Sequence, residues 1–256
     1  MKREANDPSS WFTYTWQHHQ LPSITTVNRS WHDRPKSKTI LPFFIRVTLL
    51  PKGRWPSAHI SRLNQIWLEN LAKSLKERVL KTARAEYIGD RRYGCAIEQY
   101  YYGPHEGDAL SLSKTIQKHA DQIKIEVSRD PEWAFYENQI YPSTAQFQCV
   151  QNEMMTKQKA KNGDSLISPR RISHYITFPN QNMRNQFIWA VRDLGYAFSD
   201  EFYSPDSHFP HGICIRNMGS ADLDSINQYT NALIPLIESF HGAYEYWDCP
   251  IIRKSP

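Results

Sequence analysis

The sequence predicts an α+β fold: two ferredoxin-like (βαββαβ) antiparallel sandwiches in tandem, with an extra N-terminal strand pair and a connecting helix. Three observations carry this expectation. Residues 172–252 read as strand, helix, strand, strand, helix, strand. Residues 40–127 repeat that order. A helical stretch ending in a polar run lies between them. The expected division is 1–142 for a first α+β domain, 143–169 for a connecting helix and linker, and 170–256 for a second α+β domain.

Each element has its own signal. Residues 11–17 and 24–30, parted by Pro22-Ser23, are expected as the added strand pair. Residues 40–50 alternate, with Phe43, Ile45, Val47 and Leu49 on one face. A helix from about Ser57 to Thr82 carries Ile60, Leu63, Trp67, Leu71 and Leu75 on one stripe. Residues 85–90 and 95–102 suggest a hairpin around Arg91-Arg92-Tyr93-Gly94. A helix is expected from Asp108 to about Asp121, and Ile123, Ile125 and Val127 mark a closing strand. The connecting helix, from about Pro142 to Gly163, would turn Phe147, Val150, Met154 and Met155 inward.

The second domain opens with an alternating strand holding Ile172, Ile176 and Phe178 on one face. Phe187, Val191 and Leu194 define the helix that follows, and Gly195 stands where a glycine cap belongs. Strands are expected at 196–203 and 213–216. The last helix, 221–241, should start at an N-cap Ser220, with Asp222 and Asp224 in its first turn. Pro235 predicts a kink or break. Residues 244–251 supply the final strand. Sheets of this type put helices on one face and leave the other open. In the first domain that open face would hold Phe44, Arg46, Thr48, Lys124, Glu126 and Ser128, a wet set.

Composition narrows the classes. Aromatic residues make up 13% of the 256, enough to build a core in a chain with 22% charged residues. No apolar stretch follows the charged residues at 1–10, and none approaches membrane-helix length, so a cytoplasmic protein is expected. The four cysteines form no C-x-x-C pair and read as reduced thiols. Net charge is +5 and uneven: residues 170–256 carry −2, the remainder +7.

No nucleophile with a base, no acid/base carboxylate pair and no phosphate loop is visible, so no enzyme is expected. His208-Phe-Pro-His211 has only Asp206 as a nearby third ligand, so no metal or cofactor is expected. His174 falls on the apolar face of its strand, where a satisfied core histidine is the ordinary reading. Two binding surfaces remain. Tyr175, Arg216 and the aromatic run with Tyr244, Tyr246, Trp247 and Asp248 suit a protein partner. Alternatively, the basic half could contact RNA through Arg46, Arg91, Arg92 and Lys124. Arg91-Arg92-Tyr93-Gly94 starts like an RNA-recognition motif but lacks its later aromatics.

The residues of the last third carry a resemblance. His174-Tyr-Ile-Thr-Phe178, Leu194-Gly195-Tyr196 and Gly242, Tyr244 and Trp247 at the end of the long helix resemble regulator B of ribonuclease E activity (RraB), over about 171–252. That family has Tyr-Asp-Gly-Trp where this chain has Tyr244-Glu-Tyr-Trp247. Residues 10–140 resemble an uncharacterised bacterial domain often fused in front of such a unit, through a Trp-rich start, Gly53, Pro56 and Ser57, and Gly89 and Gly94. The resemblance implies a non-enzymatic protein that binds and dampens an RNA-degrading endonuclease, ribonuclease E or its scaffold region.

Overall fold

The computed structural model describes residues 10–34, 38–51, 60–108, 110–111, 121–192 and 194–253. Gly53, Pro56 and Ser57 lie outside them, as does the body of the helix expected from Asp108. The chain is mixed α and β, with two antiparallel sheets, and divides into two compact units, Met1–Pro142 and Ser143–Pro256.

The first unit holds β1 (Trp11–His18), β2 (Leu21–Asn28), β3 (Phe43–Leu49), α1 (Arg62–Thr82), β4 (Glu86–Tyr93), β5 (Ala96–Gly103) and β6 (Ile123–Arg129). Its sheet order is β1-β2-β4-β5-β3-β6. The expected turn at Pro22-Ser23 is corrected. The chain reverses at His19 and Gln20, both at positive φ, which matches the twist of a two-residue hairpin. Pro22 sits within β2 opposite Gln17, one residue before β2 begins to pair with β4, so its missing N–H breaks no second ladder. Gly89 has a spatial cause: a Cβ there would lie 2.4 Å from the Thr26 carbonyl oxygen.

The expected stripe of α1 is also rotated. Leu68, Ala72, Leu75 and Val79 are buried, whereas Leu63 is 78% exposed. The small Ala72 lets the helix approach the sheet closely enough for Gln99 Nε2 to reach its carbonyl at 2.9 Å.

The opposite face of this sheet is not open as expected. Phe44 is buried under Phe135, with ring centroids 4.1 Å apart, and Trp133 stacks on Tyr102 at 3.9 Å. The covering segment is anchored by Trp133 Nε1 to the Leu41 carbonyl (3.0 Å) and by the Tyr136 hydroxyl to the Asn28 carbonyl (2.8 Å). Arg46, Thr48, Lys124, Glu126 and Ser128 on that face keep contact with water.

The second unit holds α2 (Thr144–Lys161), β7 (Arg170–Phe178), α3 (Gln181–Arg192), β8 (Ala197–Tyr203), β9 (His211–Gly219), α4 (Leu223–Ser239) and β10 (Ala243–Asp248), in sheet order β10-β7-β9-β8. α3 and α4 bury Phe187, Val191, Ile226, Leu233 and Ile237 against Ile172, Ile176 and Ile215. α4 runs through Pro235 unbroken, and its N-cap is Asp222, which accepts the Ser225 N–H at 3.0 Å. Ser220 instead donates to the Asp222 carboxylate, which explains the displaced cap.

The helix expected as a connector is built into this unit, and its buried face is polar. Gln148, Asn152, Thr156 and Lys159 point inward, whereas Met154 is 61% exposed. A polar stripe can be buried because every member finds a partner. Asn152 donates to Asn227 and Thr230 and accepts from Gln148 and Trp247, all at 2.9 Å.

Candidate functional site

The structure separates the six residues expected at a partner surface into two sets. In β10 the register slips between Tyr244 and Tyr246. A bulge of this kind breaks strict alternation. Tyr244 and Trp247 therefore turn inward, while Glu245, Tyr246 and Asp248 are exposed.

Trp247 is buried at 1% exposure, donates to Asn152, and lies under the Lys159 ammonium at 5.7 Å. Lys159 also bonds Asp248 Oδ1 at 2.9 Å and the Cys249 carbonyl at 2.8 Å. Tyr244 is buried and its hydroxyl meets His174 Nδ1 at 2.8 Å. The other imidazole nitrogen of His174 lies 2.9 Å from Asn217 Oδ1, an acceptor. That pairing assigns the proton to Nε2 and leaves Nδ1 to accept from Tyr244. Burial pushes His174 down to about 4, so it is a neutral, fully bonded core residue.

The outward set forms the open face of the sheet. Tyr246, 49% exposed, stacks on Tyr175 with centroids 4.4 Å apart and planes 18° off parallel. Arg216 lies across the strands, bonded to Ser173 Oγ at 3.3 Å and Asp200 Oδ2 at 3.2 Å. Glu245 accepts from the Thr177 hydroxyl at 2.6 Å. Burial of its ring, reinforced by neighbouring acidic groups, raises the Tyr175 phenol above its ordinary value, so it stays neutral. This arrangement offers aromatic faces, carboxylates and one guanidinium. Groups of these kinds suit non-covalent contact with another surface.

The residues considered for RNA lie in the first unit and are engaged. Arg91 is 7% exposed and bonds Thr25 Oγ1 (3.1 Å), His18 Nδ1 (3.0 Å) and the Gln139 carbonyl. Burial, followed by the Arg91 charge, pushes His18 down to about 4. The Arg46 and Lys124 cations both meet Glu126 at 2.7 Å, which holds that carboxyl below its usual range. Arg92 faces Glu69 and Asp90 at 3.4 and 3.5 Å. Tyr100, Tyr101 and Tyr102 are fully buried, so no base could stack on them. Tyr100 instead donates to Glu98 at 2.6 Å, as Tyr93 does at 3.0 Å.

Among the described residues no cluster of three or more metal-ligating side chains occurs. No described helix is long and apolar enough to cross a membrane. All four cysteines are free thiols.

The second unit thus presents an open aromatic sheet face on an α+β fold. The family model described as regulator of ribonuclease activity B matches residues 150–249, under half of the 256. The match begins inside α2, earlier than the resemblance read from the sequence, in keeping with the Asn152 network that ties α2 into the unit. No curated protein matches the chain. Among solved structures, the crystal structure of an unknown protein from Galdieria sulphuraria is similar over 82% of this chain and 97% of its own, at 11% identity and a TM-score of 0.21.

Two features went unseen in the sequence. One is the Asn152 hub, which apolar periodicity cannot signal. The other is the place of β8, expected as a strand at 196–203 and found at the edge of its sheet, a position set by strand order and not by periodicity.

Proposed function

We propose that this chain is a cytoplasmic, non-enzymatic regulator that binds and dampens an RNA-degrading endonuclease of the ribonuclease E type, through that enzyme or its scaffold region. The observation that carries the reading is the coincidence of the family match at 150–249 with one compact unit whose sheet face is open and aromatic. Tyr175, Tyr246, Arg216 and Asp248 form the contact on this reading, while Tyr244 and Trp247 hold the strand that presents it. Both units are read as ferredoxin-like, because in each sheet the first strand of the βαββαβ order lies between the third and the fourth. Direct RNA binding draws support from the +7 charge of residues 1–169 alone, since Arg46, Arg91, Arg92 and Lys124 already have partners.

The test is capture of a purified ribonuclease E-type endonuclease on the immobilised chain, with and without nuclease treatment. Binding that survives nuclease treatment supports the reading. Binding that disappears with the RNA would replace it with the RNA reading.

A further inference from the structure

Four exposed apolar side chains of the second unit lie beside one strand. Trp189, Leu194, Phe198 and Met218 are 67%, 58%, 52% and 69% exposed. They flank β8, the terminal strand of its sheet, which pairs with β9 alone. Its outward row of backbone N–H and C=O groups therefore faces no strand among the described residues. Such an edge is a template for another strand.

A cavity lies against β8 on each face of the sheet. The inner one, about 460 Å³, is bounded by Trp189, Val191, Phe198 and Ile215. The outer one, about 540 Å³, is bounded by Tyr175, Phe202, Phe209 and Tyr246, with two carboxylates: Asp200, which meets Arg216 at 3.2 Å, and Glu245, which accepts from the Thr177 hydroxyl at 2.6 Å. Successive side chains of a strand point to opposite faces. A strand added at β8 would place alternate side chains in the two cavities.

We propose that β8 accepts an extended segment of a partner protein as an added strand, with large apolar side chains entering the inner cavity and arginine or lysine the outer one. This deepens the proposed function and rests on the reading of the second unit as a protein-binding module. The chemistry disfavours two other occupants. Nucleic acid would bring phosphates to Asp200 and Glu245. A second copy paired antiparallel about Asp200, the central residue of the strand, would set that carboxylate directly opposite its own copy, and like charges directly opposite destabilise a ladder.

The test uses the full chain and a phage-displayed library of random dodecapeptides. Enriched peptides are measured by fluorescence anisotropy on the wild type, Phe198→Glu and Trp189→Ala, and their effect on amide exchange is followed. The expected peptides alternate apolar residues with arginine or lysine, protect the amides of 197–203, and bind the variants about tenfold or more weakly, as for removal of a hot-spot contact. Both substituted side chains are largely exposed, so the fold should persist; if Phe198→Glu unfolds, protection at 197–203 in the wild type decides. The proposal is overturned if no peptide is enriched, or if the peptides ignore both substitutions and leave 197–203 unprotected. It is also overturned if the chain is a dimer by light scattering that Phe198→Glu splits, since a second copy would then occupy the edge. The library contains no endonuclease, so failure of the endonuclease to bind would remove the proposed function and leave this result standing.

Discussion

Trp247 donates its indole N–H to the side-chain oxygen of Asn152, 95 residues earlier, across 2.9 Å in a buried site. One hydrogen bond thus joins β10 to α2 at the two ends of the region that matches the regulator family. The prediction that follows concerns folding. Trp247→Ala should cost about 3–5 kcal/mol by deleting a fully buried aromatic. Trp247→Phe should cost about 1–3 kcal/mol by leaving an Asn152 lone pair unmet. Chemical denaturation measures both; an unchanged midpoint for Trp247→Ala would refute the buried placement.

Tyr246 should behave in the opposite way. Half its surface is in water, so Tyr246→Ala should shift stability by less than about 1 kcal/mol. Affinity for the partner should fall about tenfold or more if the Tyr175–Tyr246 stack is its anchor. Titration calorimetry alongside thermal melting separates the effects. Lost stability with unchanged affinity would make the stack structural.

In the first unit, Arg91 and its neighbour Arg92 differ in burial and should differ in consequence. Arg91→Ala strips the partners from Thr25, His18 and the Gln139 carbonyl and should cost roughly 2–4 kcal/mol. Arg92 is half exposed, and Arg92→Ala should stay within about 0.5 kcal/mol. If RNA were the ligand, affinity would also drop steeply, on the order of a thousandfold, between ~50 and ~200 mM salt for six or more phosphate contacts. A salt-insensitive partner is expected instead.

His174 makes stability depend on pH. Its folded value near 4 lies below the ordinary 6.5, so between these the unfolded chain binds the extra proton. The stabilisation is fully present above 6.5 and is lost as pH falls towards 4; stability should rise across that window by up to roughly 3 kcal/mol. His18 acts in the same direction but is more exposed. His174→Gln should flatten the profile of urea midpoints between those pH values. An equally steep profile in that variant would assign the effect elsewhere.

The sequence made the regular, apolar elements legible. β7 shows its buried Ile172, Ile176 and Phe178 by alternation, and α4 shows Ile226, Leu233 and Ile237 by helical spacing. What stayed hidden depends on partners. The inward face of α2 is a polar stripe that is stable only because Asn227, Thr230 and Trp247 complete it. The two aromatic roles in β10 are split by a register slip that alternation cannot anticipate. Trp133, Phe135 and Tyr136 cover the first sheet from an irregular segment with no periodic signature.

On the proposed function, the chain restrains an RNA-degrading endonuclease by binding it. The most direct measurement is the rate at which a purified ribonuclease E-type endonuclease cleaves a labelled RNA as the full chain is titrated in. Restraint by binding predicts that the rate falls and levels off at stoichiometric chain, and that Tyr246→Ala shifts the titration to higher concentration. A cleavage rate unchanged by excess chain would contradict it.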